Sequence, residues 1–286
     1  PETVERVWRE RGALFLEQEA GLLRLMPQTD TAVRVSYTQD KKFEKRQGET
    51  YVDLSKTVSW DWEEDTGQVY LRTAKLCVTV DKKSGSVRYA KTDKTLLAAE
   101  RAYQSRQLEP FLAYKTVENA VLYHTRVHFV FSPEEVLLGM GQGDTGVWDL
   151  RHGTCYAHQA NRKIAIPMFV SSKEYGILSG TQSALLLCDT GGHSYLQTEA
   201  DCYLDYYFLG GDGLFGVIRD FRRLTGRAAL LPEWAFGYIQ SQERYESAEE
   251  LLRVAGEFRQ RKIGLDCLVL DWMSWEEGKW GQKSFD

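Results

Sequence analysis

A β-sandwich leading into the opening of a (β/α) barrel is the fold class that the sequence predicts, a mixture of all-β and α/β architecture. Three observations predict it. From Gly12 to about Tyr207, short runs rich in β-branched and aromatic residues are separated by turn signals. After Leu231 the texture changes to strand, helix, strand. The last strand in that series is apolar almost without a break, as suits a strand covered on both faces of a parallel sheet.

Taken in order, the expected sandwich strands include Thr31 to Tyr37, Gln68 to Leu71, Leu76 to Asp81, Val121 to Phe131 and Tyr203 to Phe208. Turn chemistry at Lys83-Ser84-Gly85 and Thr190-Gly191-Gly192 separates strands of this kind and favours antiparallel pairing. The sandwich is expected to occupy residues 1–231. In residues 232–286, Ala235 to Gln240 reads as a short strand, and Ser247 with Glu250 three positions later forms a capping-box pattern. A helix follows, with Leu251, Leu252, Ala255 and Phe258 on one face, and Gly264 stands where a left-handed stop is expected. Leu265 to Leu270 is the second strand. Only about fifty residues follow Pro232, whereas a full eightfold barrel takes roughly 250, so the barrel reads as its first βαβ unit.

With 286 residues, of which 43% are hydrophobic and 12% aromatic, the chain can bury a sizeable core. A net charge of −5 and a pI near 5.7 exclude electrostatic attraction to nucleic acid or to an anionic membrane, and suit a neutral ligand. Apolar stretches such as Ile164 to Val170 fall far short of the roughly 20 residues that a spanning helix needs. Pro1 to Arg11 is charged and has no apolar signal core, which points to the cytoplasm, although a chain beginning with Pro leaves a trimmed segment open. The five cysteines are scattered with no Cys-x-x-Cys spacing, so they read as small buried residues in a reducing compartment.

Several motifs carry less chemistry than their residues advertise. Gly141-Gln142-Gly143-Asp144-Thr145-Gly146 has dinucleotide-type glycine spacing, but Val147 to Gly153 lacks the helical periodicity needed to hold a pyrophosphate. His124 and His128 sit in a strand-like run, where four residues span about 13 Å, too far for ligands each about 2 Å from one zinc. They read as a polar sheet face. Glu63-Glu64-Asp65, Glu134-Glu135 and Glu249-Glu250 read as solvated surface, since neighbours in sequence diverge in both strand and helix. No cofactor and no metal is expected.

Leu265 to Trp272 is more informative. In a barrel the C-terminal end of a strand faces the site and its start faces the stabilising side, which separates Asp271 from Asp266. Trp272, Trp275 and Trp280 just beyond offer flat apolar surfaces with a polar edge, suited to the C–H faces of sugars.

At these residues the chain resembles glycoside hydrolase family 31. The resemblance is carried in order by Leu138-Gly139-Met140-Gly141-Gln142, Ile166 to Ile177, Tyr207-Phe208-Leu209-Gly210 and Leu224-Thr225-Gly226-Arg227. Pro232 to Tyr238, Gln240 to Tyr245 and the strand ending at Asp271 complete it, while the first 130 residues match only in being β-rich. It implies a galactose-mutarotase-like sandwich ahead of a catalytic TIM barrel, and retaining hydrolysis of α-glucosides or α-xylosides by an aspartate nucleophile and an aspartate acid/base. In the family both lie on later barrel strands, the nucleophile in a Trp-x-Asp setting that this sequence lacks. No catalytic residue is therefore assigned within the chain, which alone is expected to be inactive.

Residue by residue, the resemblance makes Asp271 a ligand for sugar hydroxyls and Tyr245 an aromatic border of the same subsite. The loop from Thr154 to Arg162 is short compared with relatives whose sandwich reaches the active site. The implied partners are a carbohydrate substrate and the remainder of the catalytic barrel, as continuing sequence or as a separate chain. Two other readings stay open: a non-catalytic carbohydrate-binding module on the sandwich, and an elimination enzyme built on the same scaffold.

Overall fold

The computed structural model describes residues 2–43, 51–111 and 121–282. The chain divides into two compact units, Pro1–Arg227 and Ala228–Asp286.

In the first unit, β1 (Val4–Glu10), β2 (Ala13–Gln18), β3 (Gly21–Thr29) and β4 (Ala32–Thr38) form an antiparallel meander. A separate five-stranded meander follows as β5 (Asp61–Glu64), β6 (Gln68–Arg72), β7 (Leu76–Asp81), β8 (Val87–Lys91) and β9 (Leu96–Ala99). The next strands are β10 (Arg106–Pro110), β11 (Tyr123–His128), β12 (Leu137–Gln142), β13 (Thr154–Ala157) and β14 (Ile164–Ser171). After them come β15 (Tyr175–Ser179), β16 (Leu185–Thr190), β17 (His193–Asp201) and β18 (Leu204–Gly210). Four of these extend the first meander into an eight-stranded sheet, β1-β2-β3-β4-β18-β15-β14-β12, and the others make a five-stranded sheet, β10-β11-β17-β16-β13.

One continuous core joins the three sheets. Leu14, Leu23, Val33, Val35 and Phe208 of the large sheet meet Val69, Val78 and Tyr89 of the second and Val127, Leu187 and Leu196 of the third. Tyr89 stacks on Phe208 with ring centroids 4.0 Å apart. The large sheet is buried on its other face too, where Ala32, Met168, Leu178, Tyr207 and Leu209 pack under Val217 and Leu224 of helix α1 (Gly213–Thr225). Double burial explains why β18 reads as Leu-Asp-Tyr-Tyr-Phe-Leu-Gly with every residue inside. α1 is a helix within the region expected to be purely β. Val217, Phe221 and Leu224 carry its period, but three apolar positions are too few to stand out against the sandwich pattern.

Burial also overturns two surface assignments. Glu135 is 4% exposed. Its carboxylate accepts hydrogen bonds from Ser171 Oγ at 2.6 Å, Tyr175 Oη at 2.5 Å and the Ser132 N–H at 3.0 Å. His128 lies on β11 as expected of a strand, but is 5% exposed rather than on a polar face. Val121 and Leu122 fall outside β11, and Phe129 makes only an isolated bridge to Glu100.

The spaced glycines have a local cause. β12 bulges between Gly139 and Gly141, which hold φ of +126° and +98°, and a Cβ on Gly141 would collide with the Ile164 carbonyl of β14. Residues 143–153 contain no helix.

The second unit holds a 3₁₀ turn (Glu233–Phe236), β19 (Ile239–Gln242), helix α2 (Ala248–Gln260) and β20 (Cys267–Leu270). β19 and β20 pair in parallel, giving a βαβ unit. Three details differ from expectation. Pro232 leads into the 3₁₀ turn, whose Ala235 N–H bonds the Pro232 carbonyl, so the strand begins only at Ile239. The left-handed residue after α2 is Lys262, at φ +55°, not Gly264. β20 is also shorter than Leu265 to Leu270, and only half-buried.

Candidate functional site

In the parallel pair, Ile239 stands opposite Cys267 and Gln242 opposite Leu270, so the two strands end level. The segments that leave them, Glu243 to Glu246 and Asp271 onward, therefore emerge at the same C-terminal edge, where barrel chemistry is built.

Local contacts hold this edge in place. Ser247 caps α2, its Oγ accepting the Glu250 N–H at 3.2 Å, and the Glu250 carboxylate reaches back to the Glu246 N–H at 2.7 Å. The return bond lands one residue ahead of the cap and ties the β19–α2 loop to the helix. At the far end of α2, Arg259 donates to the Leu265 carbonyl at 3.0 Å, anchoring the approach to β20. Phe258 of α2 lies 5.6 Å from the Tyr238 ring, which seats the helix beside β19.

Asp266 and Asp271 separate by environment. Asp266 accepts the Tyr238 N–H at 3.0 Å and so stitches the starts of the two strands together. A Cβ on Gly237 would land on the Asp266 carboxylate, which is why a glycine stands there. Asp271 follows the last residue of β20 and is exposed at the C-terminal edge.

The three tryptophans come together. Trp272 and Trp275 meet edge to face at 5.7 Å, and Trp275 lies 5.6 Å from Trp280. Trp272 is 45% and Trp280 80% exposed, so the array presents aromatic surface to solvent beside Asp271. Tyr245 differs. It is 2% exposed, and its hydroxyl is buried without a hydrogen-bond partner. An unpaired buried phenol is costly, and this one is closed off from solvent, so the structure places Tyr245 inside the unit rather than on an open border.

Sequence reasoning missed the polar centres of the sandwich, whose partners lie far apart in the chain. Arg34 forks onto Asp205 through Nε at 3.1 Å and Nη2 at 3.0 Å, and Ser36 donates to the same carboxylate at 2.7 Å. Burial works to lower the Arg34 guanidinium, but the facing carboxylate outweighs it and keeps the group firmly charged. Glu100 accepts from Arg106 Nη1 at 2.8 Å and from Tyr206 Oη at 2.6 Å, and burial pushes its carboxyl up against the opposing pull of Arg106. Among the described residues no group of histidine, cysteine and carboxylate side chains is arranged to hold a metal ion.

A β-sandwich unit followed by a parallel βαβ unit, with an acid and aromatics past the strand ends, defines a class of barrel protein carrying an N-terminal β domain. Residues 228–286 match the family model for the glycosyl hydrolases family 31 TIM-barrel domain, about a fifth of the chain. An α-xylosidase of Saccharolobus solfataricus is 39% identical over 178 residues, which are 59% of this chain and 24% of that protein. Alpha-glucosidase 2 of Bacillus thermoamyloliquefaciens is 40% identical over 68 residues, 24% of this chain and 9% of that protein. The crystal structure of the family 31 α-xylosidase from Xanthomonas citri superposes with a TM-score of 0.83 at 20% identity, covering 98% of this chain and 47% of that one. The chain thus spans about a quarter or less of these two curated relatives. No helix among the described residues is long and apolar enough to cross a membrane.

Proposed function

We propose that this chain is the N-terminal portion of a retaining α-glycosidase acting on α-xylosides or α-glucosides, with its domains at about 1–231 and 232–286. The observation that carries the reading is Asp271, which follows the second parallel strand of a barrel matched to family 31, beside exposed Trp272 and the Trp275–Trp280 pair. A carboxylate there accepts hydrogen bonds from sugar hydroxyls, and such charge-assisted bonds are about twice as strong as neutral ones. The tryptophan faces cover the C–H surface of the sugar, while Tyr245, which the resemblance assigns to the border of the same subsite, is buried in the loop after the first strand.

Hydrolysis with retention requires two carboxyl groups flanking the scissile bond, one a nucleophile and one an acid/base. In this reading both come from the remainder of the barrel, and the 286 residues supply substrate binding but no turnover. Names of relatives support the substrate class: they are an α-xylosidase and an α-glucosidase.

Nitrophenyl α-xyloside and α-glucoside hydrolysis, measured on the purified 286-residue chain and on a chain carrying a complete barrel, tests this. Turnover by the complete barrel alone is expected. Turnover by the 286-residue chain itself, or binding without turnover by the longer one, overturns the assignment, the second outcome favouring a carbohydrate-binding module. An unsaturated anhydro sugar as product identifies elimination instead.

A further inference from the structure

We infer that the sandwich carries a second, non-catalytic binding site for a neutral polyhydroxylated ligand, an oligosaccharide, in the cavity beside edge strand β10. The cavity measures about 550 Å³ and is bounded by β10, the segment just before it and the open end of the β3–β4 hairpin. That is room for one to two sugar rings.

Its walls carry unused hydrogen-bonding capacity. Arg106 is 4% exposed and commits Nη1 to Glu100 and Nη2 to the Gly85 carbonyl, so it braces the wall, and the free capacity lies with the amides around it. Gln39 donates to the Leu108 carbonyl at 3.2 Å through Nε2, which leaves its Oε1 as an acceptor. Gln107 accepts from Arg126 at 3.3 Å through Oε1, which leaves its amide hydrogens as donors. Gln104 offers a whole exposed side-chain amide, and Glu109 an exposed carboxylate, at the rim. Tyr103, also at the rim and 58% exposed, offers a flat ring face.

The chemistry selects the ligand. Paired donors and acceptors from planar amides match sugar hydroxyls, which donate and accept at once, and a tyrosine face suits the C–H surface of a ring. Anions are disfavoured, because the charge of Arg106 is already neutralised by Glu100 at 2.8 Å and the cavity also holds Glu2 and Glu109. Metal cations find no ligand group among the described residues. The site is distinct from the aromatic array of Trp272, Trp275 and Trp280, since every residue lining it belongs to the first unit.

Titration calorimetry or saturation-transfer NMR with maltotriose and isomaltotriose on the 286-residue chain tests the site. The choice of α-glucan probes rests on the proposed function, but binding is read without turnover, so loss of one result leaves the other interpretable. Saturable binding with Kd on the order of 1 mM is expected. The Tyr103→Ala/Gln104→Ala variant should weaken it about tenfold or more with an unchanged melting temperature, both positions being exposed. Absence of saturable binding by either trisaccharide, or binding that the Tyr103/Gln104 variant keeps at full strength, overturns the inference.

Discussion

Two aspartates five positions apart, flanking β20 on either side, show how position sorts chemically identical groups. Asp266 accepts the Tyr238 N–H at the start of the strands, and Asp271 stands past the strand end where sugar hydroxyls are proposed to bind. Losing a hydrogen bond to a charged group costs about 1.5 to 3 kcal/mol. In an enzyme carrying the complete barrel, Asp271→Ala is therefore expected to lower kcat/KM by roughly ten- to a hundredfold with little change in melting temperature. Asp266→Ala should do the reverse, and a destabilised but fully active Asp271→Ala enzyme would remove the binding role. His128 poses a different test. Burial first, then the charges of Arg101, Arg126 and His193, hold its imidazole down to about 4 from the ordinary 6.5, and the Tyr195 ring tilts against it. The fold keeps this group neutral while the unfolded chain takes up a proton below about 6.5, so stability is lost as pH falls from 6.5 towards 4. The loss is expected to be on the order of 2 kcal/mol after solvent screening. Denaturant unfolding at several pH values should show a flatter profile for His128→Phe, and an unchanged slope would rule this histidine out as the source.

At the scale of elements, α2 and its caps make the clearest case. Ser247 was legible as a cap because a short hydroxyl side chain before an apolar period, with glutamate three residues on, satisfies orphan N–H groups at a helix start. Ser247→Ala should cost about 1 kcal/mol. The helix end was misread because its stop depends on backbone geometry. Ile263 N–H bonds the Phe258 carbonyl at 3.0 Å and Lys262 N–H the Arg259 carbonyl at 3.1 Å, a Schellman closure with lysine in the left-handed position. Lysine pays for that conformation sterically, and glycine does not. Lys262→Gly is thus expected to stabilise α2 by about 1 kcal/mol, read as slower amide exchange across Leu251 to Gln260. Faster exchange in the variant would mean that the lysine side chain contributes more than its backbone strain removes.

The two units, each taken as a whole molecule in miniature, have opposite character. The sandwich holds a continuous buried core between three sheets and behind α1, while the βαβ unit buries only Tyr245 and Leu265 among its described hydrophobics and leaves Trp234, Phe236, Leu252 and Trp280 between 52% and 80% exposed. A two-stranded parallel sheet cannot cover its own faces or pair its own edges. Amide exchange in β19, α2 and β20 of the isolated 286-residue chain should accordingly be faster by orders of magnitude than in β4 or β18, and adding the remaining barrel should slow it. Protection equal to that of the sandwich in the chain alone would show that the βαβ unit needs no completion.

Periodicity and local chemistry are one-dimensional signals, and what they encode was readable in advance. The runs rich in β-branched and aromatic residues marked β4, β6, β7 and β18, the capping box marked α2, and the nearly continuous apolar run before Asp271 marked a parallel strand. Register, bulges and long-range pairing are three-dimensional, so the tertiary structure alone decided them. Glu135 looked like one of two solvated acids until Ser171 and Tyr175, 36 and 40 residues away, were brought onto it. The sequence alone denied the glycines of the Gly141 segment a phosphate role, but their structural reason appeared only with β14 laid beside them. The chain order of Trp272, Trp275 and Trp280 predicted their neighbourhood, but only folding set their edge-to-face and tilted contacts and left Tyr245 buried with an unpaired hydroxyl. Burial and pairing depend on residues distant in sequence, and no local pattern contains the distances between them.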